Sequence, residues 1–174
     1  MSRLLFLASF FFILTVNYSA GKTGIVTGLQ IPRYASLKAD TVKLRVGPGK
    51  KYQTSYLYRC KNYPVKIIAE FDNWRKIEDV EKTQGWVHKS LLSGVSYAII
   101  QSNKLLNRKS LAYKIANNQS LIFKAPDENS IPVAKLEFGV IVKIAKCESE
   151  WCKVNVQKIT GWVRKANLWG VNEN

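Results

Sequence analysis

The chain of 174 residues is poor in groups that do chemistry, with one His and three Cys. A single His excludes most zinc sites and any mechanism that needs two histidines. Three Cys are too few for a structural metal cage or a disulfide-dense scaffold. Acids are scarce as well, with 12 Asp+Glu against 27 Lys+Arg. Beyond residue 21 no stretch keeps a helical period, and none is apolar over the roughly 20 residues that a bilayer core requires. No Gly-rich loop runs into a Lys-Ser/Thr helix start, which excludes a P-loop phosphate cradle. These absences point away from an enzyme, and from any metal or cofactor, toward a binding or structural module. What remains is 47% apolar and long enough for one ordinary domain or two small ones.

The first residues read as an address rather than as part of the fold. Arg3 gives a positive start, and residues 4–16 are apolar with only Ser9 and Thr15 as mild exceptions. That run is too short to span a bilayer but suits the central region of a secretory signal. Ser19 and Gly21 then give a small-x-small pattern, so cleavage is expected after Gly21, with Ala20 as second choice. No Cys follows the apolar run, which argues against a lipid-attached product. The expected mature chain is exported, periplasmic or extracellular. It loses one Arg and no acid, leaving 26 basic against 12 acidic residues and a net charge of +14. Such a field favours anionic partners in general. The lysines are scattered at strand-like spacing rather than packed in one run, so a dedicated nucleic-acid patch is not expected.

The chain repeats itself once. At an offset of 77, Leu44-Arg45-Val46 lines up with Leu121-Ile122-Phe123, Val65-Lys66-Ile67 with Val142-Lys143-Ile144, and Trp74 with Trp151. One residue is then lost, and Gly85-Trp86-Val87 meets Gly161-Trp162-Val163. Within the first copy, residues 41–46, 55–58, 65–71, 74–79 and 85–87 read as short strands, Asp72-Asn73 as a tight turn, and 89–92 as one helical turn. The fold class expected is all-β: two small barrels in tandem after the signal peptide. The expected division is a flexible segment 22–36, a first unit 37–94, a basic linker 95–117 with a possible edge strand at 97–100, and a second unit 118–171.

Leu44-Arg45-Val46-Gly47-Pro48-Gly49-Lys50-Lys51-Tyr52, Val65-Lys66-Ile67-Ile68, Asn73-Trp74-Arg75-Lys76-Ile77 and Gly85-Trp86-Val87-His88 together resemble a bacterial SH3-like domain. The first unit, including its ending at Gly94, is similar to the exported SH3-like proteins of Gram-negative bacteria. The second is a degenerate copy, in which Phe123-Lys124-Ala125-Pro126 stands where the first has its Gly-Pro-Gly loop. The resemblance implies compact five-stranded barrels, common in cell-envelope proteins and wall hydrolases, that target peptidoglycan or peptides and carry no catalysis.

Such barrels hold extended peptides in shallow grooves lined by aromatics. The resemblance places Tyr52, Tyr56 and Trp74 on that groove in the first unit and Trp151 in the second. Arg45, Lys50 and Lys51 would meet a carboxylate or phosphate of the ligand. For Trp74 and Trp151, groove and core remain equal alternatives, and Trp86 and Trp162 are assigned to the core. Cys147 and Cys152 flank Glu148-Ser149-Glu150-Trp151; on a hairpin with a four-residue loop they would face each other and form a disulfide. The repeat puts Glu70 and Arg75 at the same two positions, where an exposed ion pair would contribute at most about 1 kcal/mol. Cys60 is left over, and its state stays open. A Cys60–His88 nucleophile pair has no orienting third group around it, so no catalytic residue is assigned. The function expected is recognition of a cell-wall polymer or its peptides. The alternatives are recruitment of an envelope or host protein, and charge-driven binding to nucleic acid or anionic surfaces.

Overall fold

The structure is a computed structural model and describes residues 22–101 and 119–172. The expected signal peptide lies outside the described residues. Seven strands make the first unit: β1 (Arg33–Leu37), β2 (Val42–Arg45), β3 (Thr54–Tyr58), β4 (Pro64–Phe71), β5 (Trp74–Glu78), β6 (Gln84–His88) and β7 (Leu92–Ser93). Seven make the second: β8 (Tyr97–Ile100), β9 (Gln119–Phe123), β10 (Pro132–Glu137), β11 (Ile141–Glu148), β12 (Trp151–Val156), β13 (Ile159–Arg164) and β14 (Leu168–Trp169). One 3-10 turn precedes the last strand of each, at Lys89–Leu91 and Lys165–Asn167. The sheets are ordered β3-β2-β6-β5-β4-β1-β7 and β10-β9-β13-β12-β11-β8-β14, the same order strand for strand. The described residues are therefore all-β, two antiparallel sheets in tandem.

Alternation along β2, β5 and β6 builds the first core. Val42 and Leu44 of β2, Ile77 of β5 and Val87 of β6 are fully buried in the first unit. Ile122, Val154 and Val163 take the places of Leu44, Ile77 and Val87 in the second, and buried Ser120 that of Val42. Gly85 also faces inward. A methyl group on it would lie 2.5 Å from Leu44 Cγ and 2.9 Å from the Arg45 carbonyl oxygen. Gly161 meets Ile122 and the Phe123 carbonyl in the same way. The Gly before each Trp is thus fixed by the close approach of the neighbouring strand.

These contacts correct the register read from the sequence. Arg45 pairs with Trp86 and Phe123 with Trp162, so Leu44 corresponds to Ile122 and not to Leu121. Leu121 is 38% exposed, whereas Ile122 is fully buried. The repeat also begins earlier than expected. β1 pairs with β4 and β7, and β8 pairs with β11 and β14, so Tyr34-Ala35 and Tyr97-Ala98 are equivalent. Strand 97–100 is an interior strand of the second sheet rather than an added edge. The expected basic linker 95–117 therefore belongs to the second unit: it contains β8, and its remainder leads from β8 to β9. That remainder stands where the first unit has the short connection 38–41, and residues 102–117 of it lie outside the described residues.

Segment 22–36 is not a loose leader. Ile31 N–H donates to the Lys22 carbonyl (2.8 Å), Gly24 N–H to that of Leu29 (2.8 Å), and the loop closes over Glu70. Glu70 is fully buried at its side chain. It accepts hydrogen bonds from the Val26 and Thr27 amides (3.1 and 2.9 Å), the Thr27 hydroxyl (2.7 Å) and Arg33 Nη2 (2.7 Å). Arg75 Nε stands 3.5 Å away. The expected Glu70–Arg75 pair exists, but it is buried, and Arg33 is the nearer cation. Burial alone would push the Glu70 carboxyl up; the Arg33 and Thr27 hydrogen bonds, with the Val26 amide, outweigh it and hold the pKa at about 2. In the second unit Cys147 and Cys152 form the expected disulfide at the equivalent cross-strand position, with Cα atoms 4.0 Å apart. The turn between them is shorter than expected, because Glu148 already pairs with Trp151.

Candidate functional site

The face of each sheet turned away from the core carries Trp74 and Trp86 in the first unit and Trp151 and Trp162 in the second. In the first unit Lys43 and Arg45 on β2, Trp86 and His88 on β6, and Trp74 and Lys76 on β5 alternate outward. Register sets them in two rows. Trp86 has Arg45 as its neighbour on one side and Lys76 on the other. Trp74 has His88 directly across, ring edge to ring face at 5.5 Å. Trp86 is part-exposed and outside the core cluster, correcting its assignment, whereas Trp162 is buried as expected, at 8% exposure, though on the outer face of its sheet. The inward places beside them belong to Gly85 and Val87, and to Gly161 and Val163.

A cleft of about 330 Å³ opens on this face. It is lined by Thr41, Lys43, Arg45, Lys50, Trp74, His88 and Leu91. Three of the seven are cations and none is an acid. Arg45 Nη1 donates to the Tyr52 carbonyl (2.6 Å), which fixes the guanidinium at the rim. The loop that supplies this carbonyl also supplies Lys50, and is closed by bonds from Val46 N–H to the Gln53 carbonyl and from Tyr52 N–H to that of Gly49. His88 Nδ1 accepts from the Ser90 amide at 3.3 Å. In the neutral ring this leaves Nε2 to carry the proton. Lys89 N–H donates to the Asn73 carbonyl (2.8 Å), tying the end of β6 to the turn that presents Trp74.

The structure brings Arg45, Lys50 and Trp74 of the expected set into one cleft and leaves the others out. Tyr52 lies with its ring against Gly47, under Lys51 Nζ at 5.5 Å, and serves the cleft only through its carbonyl. Tyr56 belongs to a tyrosine cluster elsewhere, stacked edge-on with Tyr58 at 4.9 Å. The Tyr58 hydroxyl donates to Asp79 (2.9 Å); burial first, and then this bond, push its pKa up. Thr41, Lys43, His88 and Leu91 were missed. Lys43 was within reach of the alternation rule, being two residues before Arg45. His88 was within reach of the register, once Trp74 faces it.

Trp151 sits at the matching place in the second unit, but it is covered. It is 8% exposed, with Phe123 edge-on at 5.6 Å and the Arg164 guanidinium over its ring at 5.0 Å. Glu128 pins Arg164 at 2.7 Å. Phe123 stands where the first unit has Arg45, and Arg164 where it has His88. Two substitutions thus close over the second Trp what the first unit leaves open over Trp74.

Strand order, a core of inward aliphatics and an aromatic outer face make each unit a small SH3-like β module. The family model for the bacterial SH3 domain matches residues 38–94 and 116–170, and the chain belongs to that family. Both matches begin after the first strand of their unit. A search of curated proteins gives no match. Among solved structures the chain is similar to NlpC2 from Trichomonas vaginalis, at 12% identity over 79% of this chain and 48% of that one, with a TM-score of 0.33. It is similar to NlpC1 from the same organism, at 12% identity over 84% and 48%, TM-score 0.34. An NlpC/P60 family protein from Bacillus cereus ATCC 10987 matches at 8% identity over 78% and 55%, TM-score 0.31. The chain spans about half the length of these proteins, and TM-scores this low carry no argument. Among the described residues no cluster suits a metal ion, and no helix is long and apolar enough to cross a membrane.

Proposed function

We propose that the chain is an exported, non-catalytic binding module that holds a cell-envelope ligand, peptidoglycan or its peptides, in the cleft beside Trp74. One observation carries this reading. The same sheet face is built in both units, yet only in the first is its Trp left part-exposed among unpaired cations. Membership of the bacterial SH3 family supports a wall-associated ligand, and the disulfide suits an oxidising compartment. An aromatic with little entropy to lose is a natural anchor in such a groove.

Co-sedimentation of residues 22–174 with purified sacculi tests the reading. Pelleting that persists at high salt and is lost in a folded Trp74→Ala variant is the expected result. Pelleting that salt abolishes equally in both proteins would instead assign binding to the overall charge, whose phosphate- or polymer-directed part is salt-sensitive.

A further inference from the structure

No acid lines the cleft, and three of the first unit's six are committed elsewhere. Glu70 is held by Arg33 and Arg75, Glu78 by Lys82 and Gln84, and Asp79 by Tyr58 and the Glu81 and Thr83 amides. Lys43, Arg45 and Lys50 form no ion pair among the described residues, although all three line one cleft. Arg45 is anchored through Nη1 alone, so its Nη2 and Nε donors remain for a planar anion. Beside these cations stand Trp74 and Leu91, an apolar wall that a bare phosphate would not use. At about 330 Å³ the cleft lies at the small end of ligand sites, fitting an end of a chain rather than its length.

Resting on the reading above, we infer that the cleft captures the carboxylate end of a short peptide. Arg45 takes the carboxylate by its fork, Lys43 and Lys50 add point charge, and the last apolar side chain lies on Trp74.

The test titrates N-acetyl-D-alanyl-D-alanine, its C-terminal amide and inorganic phosphate into residues 22–174. The readout is the indole N–H resonance of Trp74, assigned through Trp74→Phe. The acid should shift that signal and bind at least about tenfold tighter than the amide, the difference made by charge-assisted hydrogen bonds. Arg45→Gln should remove most of that preference while the resonances of β1 and β4 in the same unit, away from the cleft, stay in place, showing an intact fold. Equal binding of acid and amide would overturn the inference and leave the proposed site standing. So would phosphate shifting the same signal as strongly as the acid, or silence of the acid in a protein that still pellets with sacculi. Silence together with loss of pelleting would overturn the site itself.

Discussion

Glu70 shows how much one residue can organise. It collects four hydrogen-bond donors within a buried pocket, three of them from the segment ahead of β1, and a second guanidinium from Arg75. Gly24 permits that arrangement, since a methyl group there would lie 2.4 Å from the Glu70 carboxyl. Replacing Glu70 by Gln would leave Arg33 and Arg75 buried without a counter-charge. The expected loss is about 3 kcal/mol, read from urea unfolding at pH 7. The acid dependence follows with a fixed sign. The folded carboxyl titrates at about 2, below its ordinary value of 4.5. Its contribution is therefore complete above the ordinary value and is lost as pH falls from there toward 2. Glu70→Gln should flatten that part of the stability curve, and an unchanged slope would contradict the assignment. The repeat made the Glu70–Arg75 pairing legible, because the disulfide occupies the same register. Arg33 was not legible, because the loop that carries the other donors has no counterpart in the repeat.

At the level of strands, most of the reading held where alternation and turns agree. β4, the Asp72-Asn73 turn, β5 and β6 lie within a residue or so of expectation. The slip came at β9, where Leu121 and Ile122 are both apolar and neither pattern nor composition chooses between them. The choice is made across the sheet, by the fit of Gly161 against Ile122 and the Phe123 carbonyl. In the first unit the same fit predicts that Gly85→Ala costs about 2 kcal/mol by overpacking, because the Arg45 carbonyl is backbone and cannot retreat. Thermal unfolding of the variant checks this, and a neutral substitution would contradict the close packing of β2 on β6. In the second unit the Cys147–Cys152 bridge closes a short loop, so its removal as Cys147→Ala with Cys152→Ala should cost about 2 kcal/mol, plus whatever the buried Cys152 contributes to packing. Proteolysis should show that loss in the second unit and spare the first.

At the level of the whole molecule, two copies of one module have diverged in what they expose. Residues 95–117 seemed a linker because their composition is polar and basic; topology makes their start a strand of the second sheet and their remainder the connection to the next strand. Nor could the sequence decide between groove and core for Trp74 and Trp151, since the answer lies in their cross-strand neighbours. Arg45 and His88 leave Trp74 accessible, whereas Phe123 and Arg164, latched by Glu128, cover Trp151. Exchanging the pair as Phe123→Arg with Arg164→His should raise acrylamide quenching of Trp151, measured with the other tryptophans replaced by Phe. No change would mean that other residues close the second unit. The most direct trial of the central claim is a titration of isotope-labelled residues 22–174 with soluble peptidoglycan fragments, followed residue by residue. The account predicts shifts gathered on Lys43, Arg45, Lys50, Trp74 and His88, with Trp151 and Arg164 unmoved. Shifts spread over the lysines of both units, or centred on Trp151, would contradict it.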